Sequence, residues 1–591
     1  MPDGSITDGS IQRAEWFAVL ALCSAASLSA ILWSWSHGAM LNYGDAVAHL
    51  HIARRVFDAH QPRLTLLGSV WLPLPHILLL PFVQVYSWWA SGFAGVIPSA
   101  LAYLASCAGL YRLARRWLSP AAAALSLAFF AANPNLLYLQ TTAMTEPLFL
   151  CEMIWITLWL VEWRASLNEN ATRSDRLQYL IAAALIAAVF TRYDGWIIAL
   201  FAWTSMGIAL ARRGKLGSRA FWIASAFVVA APIAWFIYNQ LAFGDWLDFA
   251  RGPYSAMAIE IRTAVPGYPP HPGWHNPWVS LIFFVKAAQM CAAALAWGNV
   301  LLVLSLFGTL WAWVVARRRT FAWAWPLWLP VPFYAYSISY GSVPIFLPVW
   351  WPHSWYNVRY GMELLPAFAL SMGFAANLAI NVCVPRELLI RPVETDAPCP
   401  VLAPSFWRKG GKAMHHLWRG SIRPHSSQLV TALLFALIAL NVFQMLRENP
   451  LVYVEGTKNI HARQPMYSQV PPVLRALLAR RPGAVILMDT SVYPEIVSLT
   501  GIPLRQTINE SDLTIYLSAL AAPAAHAPIV LAFDGDEIDQ AVHAHPEGLT
   551  AIHRFTAPNQ PSGTLYVSDT PDSSSLNNPP TTVIASLMGS Q

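Results

Sequence analysis

The residues best equipped for chemistry are the ionisable ones that interrupt an otherwise apolar chain. The densest set is Asn42-Tyr43-Gly44-Asp45-Ala46-Val47-Ala48-His49-Leu50-His51-Ile52-Ala53-Arg54-Arg55, with one acid, two imidazoles and two guanidiniums. Asp45 and His49 are four apart and share a helical face. A carboxylate so placed can take a proton from an attacking hydroxyl, or it can simply cap the helix that follows. Further ionisable groups stand at the ends of apolar runs: Glu146 before Pro147, Arg192 and Asp194 in Thr191-Arg192-Tyr193-Asp194-Gly195, and Arg359 with Glu363. Each also has a plain reading. Glu146 complements a helix dipole, Arg192 and Asp194 form a salt-bridged turn, and Arg359 snorkels to an interface. Arg54 is a weaker candidate for an anionic substrate, and His51 and Arg55 read as structural. Asp45, His49 and Glu146 form only a weak ligand set for a possible divalent metal ion. No Walker loop, dinucleotide fingerprint or serine-hydrolase motif is present.

The elements that must position these groups are membrane spans. The chain has 591 residues, 56% hydrophobic and 12% charged, against roughly 25% charged in soluble domains. That composition describes a polytopic, α-helical membrane protein with soluble mass attached. The net charge of +6 is not a nucleic-acid signal, because the Lys and Arg lie in short clusters between apolar runs. The six cysteines are scattered with no C-x-x-C pair, and read as buried, inert thiols.

Runs near 16–35, 93–111, 119–137, 147–163, 219–240, 298–316, 320–338, 360–382 and 428–446 are long enough to span. Residues 177–211 split into two more at Arg192, for about 11 transmembrane helices. The basic clusters at Arg112/Arg115/Arg116, Arg164/Arg173/Arg176, Arg212/Arg213/Lys215/Arg219, Arg317/Arg318/Arg319 and 386–423 then all fall on the inner side. This parity leaves 70–89, rich in proline, as an interfacial helix inside a long external loop, 37–92. It makes 278–296 interfacial or re-entrant. The N-terminus is cytoplasmic and the C-terminal domain extracytoplasmic. Asp45, His49, Glu146, Arg192, Asp194 and Arg359 then converge from separate elements on the outer side, where ionisable groups at membrane depth mark a functional site by default.

Three regions follow: a transmembrane catalytic domain over 1–446 with a cytoplasmic loop at 384–427, a soluble extracytoplasmic α/β domain over 447–570, and a disordered tail at 571–591. In the second, Val470 to Arg481 reads as an amphipathic helix. Ala484 to Met488, Pro528 to Phe533 and Leu565 to Val567 read as strands, and Asp534-Gly535-Asp536-Glu537 as a solvated turn.

The ordered motifs resemble those of the GT-C superfamily of membrane glycosyltransferases, in the branch of the protein O-mannosyltransferases and aminoarabinose transferases. They are Tyr43-Gly44-Asp45 after the first span, Trp71-Leu72-Pro73-Leu74-Pro75-His76, Asn133-Pro134-Asn135, Met144-Thr145-Glu146-Pro147, Thr191-Arg192-Tyr193-Asp194-Gly195-Trp196 and Asn357-Val358-Arg359-Tyr360-Gly361. The likeness covers roughly 15–380. It implies a sugar donor linked to polyprenyl phosphate, inversion at the anomeric carbon, and a glycan, lipid or protein acceptor. It places Asp45 as base or acceptor-orienting group, Glu146 as the second acid, and Arg192 and Arg359 on the lipid phosphate. His49, Arg54 and Asp194 join them as substrate-binding candidates. Many relatives carry two near-adjacent acids in the first loop, whereas Ala46 follows Asp45 here, which weakens a metal-dependent version. The implied setting is a bacterial inner (plasma) membrane. A transporter or lipid flippase, or a non-catalytic envelope assembly protein, are the alternatives; the first predicts internal repeats and polar groups at the midplane.

Overall fold

The structure, a computed structural model, describes residues 12–167, 171–263, 269–315, 321–382, 425–558 and 560–568. Most of the expected loop 384–427, the arginines at 317–319, Cys383, Cys399 and the tail 571–591 lie outside the described residues.

Helices dominate, as the composition requires, and the chain is a multi-pass membrane protein. Among the described residues seven helices are long and apolar enough to cross a membrane: Arg13–Ser36, Phe93–Ala114, Ala171–Thr191, Tyr193–Ala211, Arg219–Phe243, Val358–Asn381, and a run from Ser427 to Arg480. The expected span 298–316 falls on a continuous apolar helix, Leu295–Val315, while three other segments expected to span are broken or charged. The 119–137 run divides into Pro120–Ala131 and Pro134–Leu139, because Pro134 lacks an N–H and the Asn133 side chain accepts from the amides of Asn135 and Leu136. The 320–338 run is a 3-10 turn, Ala322–Trp328, followed by the helix Pro330–Tyr340, with Pro326 inside the turn. Glu146–Ser166 is a continuous 21-residue helix that carries Glu152, Glu162 and Arg164.

The expected external loop folds as three short helices, Gly44–Arg55, Pro73–Val83 and Tyr86–Ser91. The first span ends at Gly38, whose φ of 63° turns the chain into this loop. The break within 177–211 falls where expected: Arg192 is extended (φ −150°, ψ 154°) between two helices. A side chain at Gly195 would collide with the Ala188 carbonyl, so only glycine lets the second helix fold back so closely.

The C-terminal part departs from the sequence reading in one respect that matters for the site. The amphipathic helix expected over Val470 to Arg481 is the last third of a 30-residue helix, Leu451–Arg480, which starts beside the bundle and tolerates Pro465, Pro471 and Pro472. Beyond it lies a five-stranded mixed sheet of order β2-β1-β3-β5-β4: β1 Ile486–Met488, β2 Thr507–Ile508, β3 Ile529–Phe533, β4 Leu549–Phe555 and β5 Gly563–Ser568. Strand β1 runs parallel to β2 and β3, while β5 is antiparallel to both β3 and β4. The period-2 alternation divides the sheet residues between two cores. Leu487, Ile508 and Val530 pack with Tyr516, Ile538 and Val542, whereas Ile486, Met488, Ile529 and Leu531 join the same core as Val470 and Leu474 of the long helix and the membrane bundle. Asp536 of the acidic turn caps the helix Glu537–Ala544 by accepting from the Asp539 amide.

Polar ties fasten this domain to the first loop. Asp58 accepts from the Leu504 amide (3.3 Å) and pairs with Arg505 (3.2 Å), and Arg63 pairs with Asp512 (2.8 Å). Next to this interface Glu495 is buried, and burial pushes its carboxyl up to about 8, against the opposing pull of Arg463. Its folded-state value lies above its unfolded one, so stability is full below the unfolded value and is lost as pH rises through 8. Glu495→Gln is therefore expected to raise thermal stability at pH 8.5 by on the order of 3 kcal/mol relative to wild type, with little change at pH 4. Thermal melts of the detergent-solubilised protein across that range check both the sign and the window.

Candidate active site

Two buried guanidiniums organise the polar end of the bundle. Arg359 lies in a 3-10 turn, Val358–Leu364, that precedes the helix Leu365–Val382. With about three residues per turn, Arg359 and Glu363 point in directions roughly a third of a circle apart. The turn can sit deep because a side chain at Gly361 would overlap the backbone of Ala287 and Ala288.

Arg359 therefore reaches one group of acids: Asp45 at 2.6 Å, Glu146 at 3.1 Å and Glu455 at 3.4 Å. Glu363 reaches the other cation, Arg192, at 3.2 Å. Arg192 also contacts Asp194 (3.2 Å) and Glu146 (3.5 Å), so Glu146 bridges the two arginines. The Tyr360 ring lies under both, 5.1 Å from the Arg359 guanidinium carbon and 5.0 Å from that of Arg192. Tyrosines complete the network: Tyr43 donates to Glu455 (2.8 Å), and Tyr334 donates to Glu363 (2.6 Å) while accepting from Arg192 (2.8 Å).

Exposure separates the members by role. The Glu146, Glu363, Asp194 and Glu455 side chains are at most 6% exposed, and those of Arg359 and Arg192 are 7% and 14% exposed. Asp45 is 44% exposed. It alone combines a locked ion pair with an open face. Glu146 Oε2 and Glu363 Oε2 are buried and take no hydrogen bond from the described residues, so each keeps accepting capacity inside the site.

Of the residues singled out by sequence, Asp45, Glu146, Arg192, Asp194 and Arg359 meet in this network. His49 stands beside it on the Asp45 helix, its Nδ1 2.8 Å from His76 Nε2 and its ring 4.5 Å from that of Trp71. Burial holds the His49 imidazole down at about 4 despite nearby Asp45, so it is neutral at ordinary pH.

Arg54 is elsewhere. It donates to Asp58 (2.8 Å) and to the Val83 carbonyl (2.7 Å), and stacks on Trp89 at 4.7 Å, which are structural duties. The weak metal set of Asp45, His49 and Glu146 is not assembled either. Arg359 pairs with both Asp45 and Glu146, and among the described residues no three His, Cys, Asp or Glu side chains are grouped to hold a metal ion.

The residue that sequence reasoning missed is Glu455. It sits in the first turns of the long helix, where Asn459 Oδ1, one turn on, accepts from the Gly44 amide at 2.8 Å. Glu455 also accepts from the Val358 amide at 3.3 Å. The signal was available as Val452, Glu455 and Asn459, spaced along one helical face directly after the last span.

Solved structures share this architecture. A crystal structure of ArnT from Cupriavidus metallidurans bound to undecaprenyl phosphate matches with a TM-score of 0.56, over 94% of this chain and 98% of that one, at 13% identity. The same protein in the apo state matches with a TM-score of 0.53, over 92% and 97%, also at 13% identity. No protein-family model and no curated protein sequence matches the chain. The likeness establishes a fold shared with those structures over nearly the whole of both chains.

Removing Arg359 leaves three carboxylates facing one another in a buried space. Arg359→Ala is expected to destabilise the protein by roughly 3–5 kcal/mol. Arg359→Lys keeps the charge without the fork and should recover only part of that loss. Thermal unfolding of the two variants in one detergent gives the order wild type, Lys, Ala; an Ala variant as stable as wild type would contradict the network.

Proposed function

We propose that this protein is an inverting glycosyltransferase that moves a sugar from a polyprenyl-phosphate donor to an acceptor at the outer face of its membrane, with Asp45 as the base. One observation carries this reading: Asp45 is the accessible carboxylate of an otherwise buried charge network, on a fold shared with a protein solved with undecaprenyl phosphate.

The reaction needs little more. An acceptor hydroxyl attacks the anomeric carbon from the face opposite the phosphate, the carbon–oxygen bond to phosphate breaks, and polyprenyl phosphate leaves with the bonding pair. Asp45 takes the hydroxyl proton as the nucleophile forms. Arg359 fixes the position of the Asp45 carboxylate, and this spares the reaction the cost of ordering its base. Buried Glu146 and Glu363 hold the two arginines in place, and the exposed face of Asp45 is left to meet sugar or acceptor hydroxyls. Neutral His49 can present an N–H at the edge of the site while His76 holds its other nitrogen. Arg192 and Arg359, both fully engaged by carboxylates, act on the phosphate chiefly through their field.

The outer-face placement rests on the bias of Lys and Arg toward the opposite loops.

Asp45→Asn keeps the shape and a hydrogen bond to Arg359 but cannot accept the proton. It is expected to lower transfer from a radiolabelled polyprenyl-phosphate sugar, with envelope extract as acceptor source, by about 10²–10⁴-fold. Its thermal stability should stay near that of wild type. Equal transfer by the variant removes Asp45 from the mechanism.

A further inference from the structure

The charge count inside the network poses a problem for a phosphate-bearing donor. Two guanidiniums are already shared among five carboxylates, Asp45, Glu146, Asp194, Glu363 and Glu455. A lipid phosphate entering that pocket would have to displace a buried carboxylate from its cation, which leaves a charge unpaired at a cost of several kcal/mol. The phosphate therefore needs a cation outside the network, near Asp45 and without an acid of its own.

Arg463 on the same helix stands against Gly44 but already spends its Nε and Nη1 on the Val492 carbonyl and on Asn459, which leaves Lys458. It lies one turn beyond Glu455 on the long helix and next to Asn459, whose side chain holds the Gly44 amide. That spacing puts it at the edge of the helix face that abuts Gly44 and Asp45. Its ammonium is exposed and has no carboxylate partner within ion-pair distance among the described residues. Instead it rests 4.2 Å above the Trp355 ring, a contact that orients the cation while leaving its hydrogen-bond donors free.

Trp355 belongs to the 341–357 segment, which leads directly into the Arg359 turn. The segment is pinned by paired backbone bonds between Phe346 and Tyr356 (3.0 and 3.3 Å) and by Asn357 Nδ2 on the Pro344 carbonyl (3.0 Å). It exposes Val349, Trp351 and Tyr356, each close to half accessible. Exposed aromatic side chains beside a free lysine are the surface that an amphiphile with an anionic head requires.

We infer that Lys458, seated on Trp355, binds the phosphate of the lipid donor at the mouth of the site, while the buried arginines hold the catalytic carboxylates. This rests on the function proposed above and names the donor-binding residue for it. In the reaction, the ammonium meets the charge that accumulates on the departing phosphate oxygen as the anomeric bond breaks.

The test uses the full-length protein in lipid nanodiscs with undecaprenyl phosphate as the probe. Binding is followed by intrinsic tryptophan fluorescence for wild type, Lys458→Gln, Lys458→Arg and the control Lys215→Gln, which alters a lysine of the basic cluster 212–219 whose ammonium donates to the Leu167 carbonyl. The expected result is at least about 10-fold weaker binding for Lys458→Gln, within about 3-fold of wild type for Lys458→Arg, and no change for Lys215→Gln. In transfer assays the loss at Lys458→Gln should appear mainly as a raised KM for the donor. Tight binding by wild type with an unchanged Lys458→Gln overturns the lysine assignment and leaves the proposed function standing. An equal loss at Lys215→Gln also overturns it, since the effect would then not belong to position 458. Absence of binding by wild type counts against the proposed function itself.

Discussion

A guanidinium buried among helices cannot remain there unless acids surround it, and Arg359 draws its acids from three distant parts of the chain. Asp45 comes from the loop after the first span, Glu146 from the start of a bundle helix, and Glu455 from the helix that leads into the C-terminal sheet. Each of these carboxylates pairs with that cation, so a single side chain ties the three elements together. The Tyr360 ring and the bridging Glu146 extend the same constraint to Arg192, and through Arg192 to Asp194 and Glu363. The C-terminal domain thereby becomes part of the site's scaffold, since its connecting helix supplies Glu455 and Asn459.

Much of this was legible before any coordinates. In a chain with 12% charged residues, an acid or arginine at the end of an apolar run stands out, and six such residues, Glu363 among them, meet in the network. The turn at Arg192 could be located because Arg-Tyr-Asp-Gly interrupts two apolar halves and glycine permits the close return. Less could be read where a local rule and a tertiary contact compete. Pro465, Pro471 and Pro472 are poor residues for a helix interior, yet packing against the bundle and the sheet holds Leu451–Arg480 together and brings Glu455 inward. Arg54 stands in the same loop as Asp45, and only its contacts reveal its employment; the Asp58 four residues on was the available clue. Asn133-Pro134 and Pro326 shortened two segments whose hydropathy alone reads as spanning.

The network also divides the labour of the proposed reaction. Cations are kept inside to position carboxylates, and a cation is left at the rim for the anionic leaving group. That division follows from the cost of unpairing buried charges, and it accounts for the difference in exposure between Asp45 and its four acidic neighbours. Neutral His49 fits the same logic, because a second positive charge beside Asp45 would make its carboxylate a weaker base.

The central claim is that lipid-phosphate chemistry takes place at the exposed side of this network. A structure of the protein with undecaprenyl phosphate bound tests it most directly. The phosphorus atom is expected at the mouth bounded by Asp45, Trp355 and Lys458, with the isoprenoid chain leaving along the exposed aromatic residues of 341–357. A phosphate at the opposite end of the bundle, with Asp45 remote from it, would contradict the account.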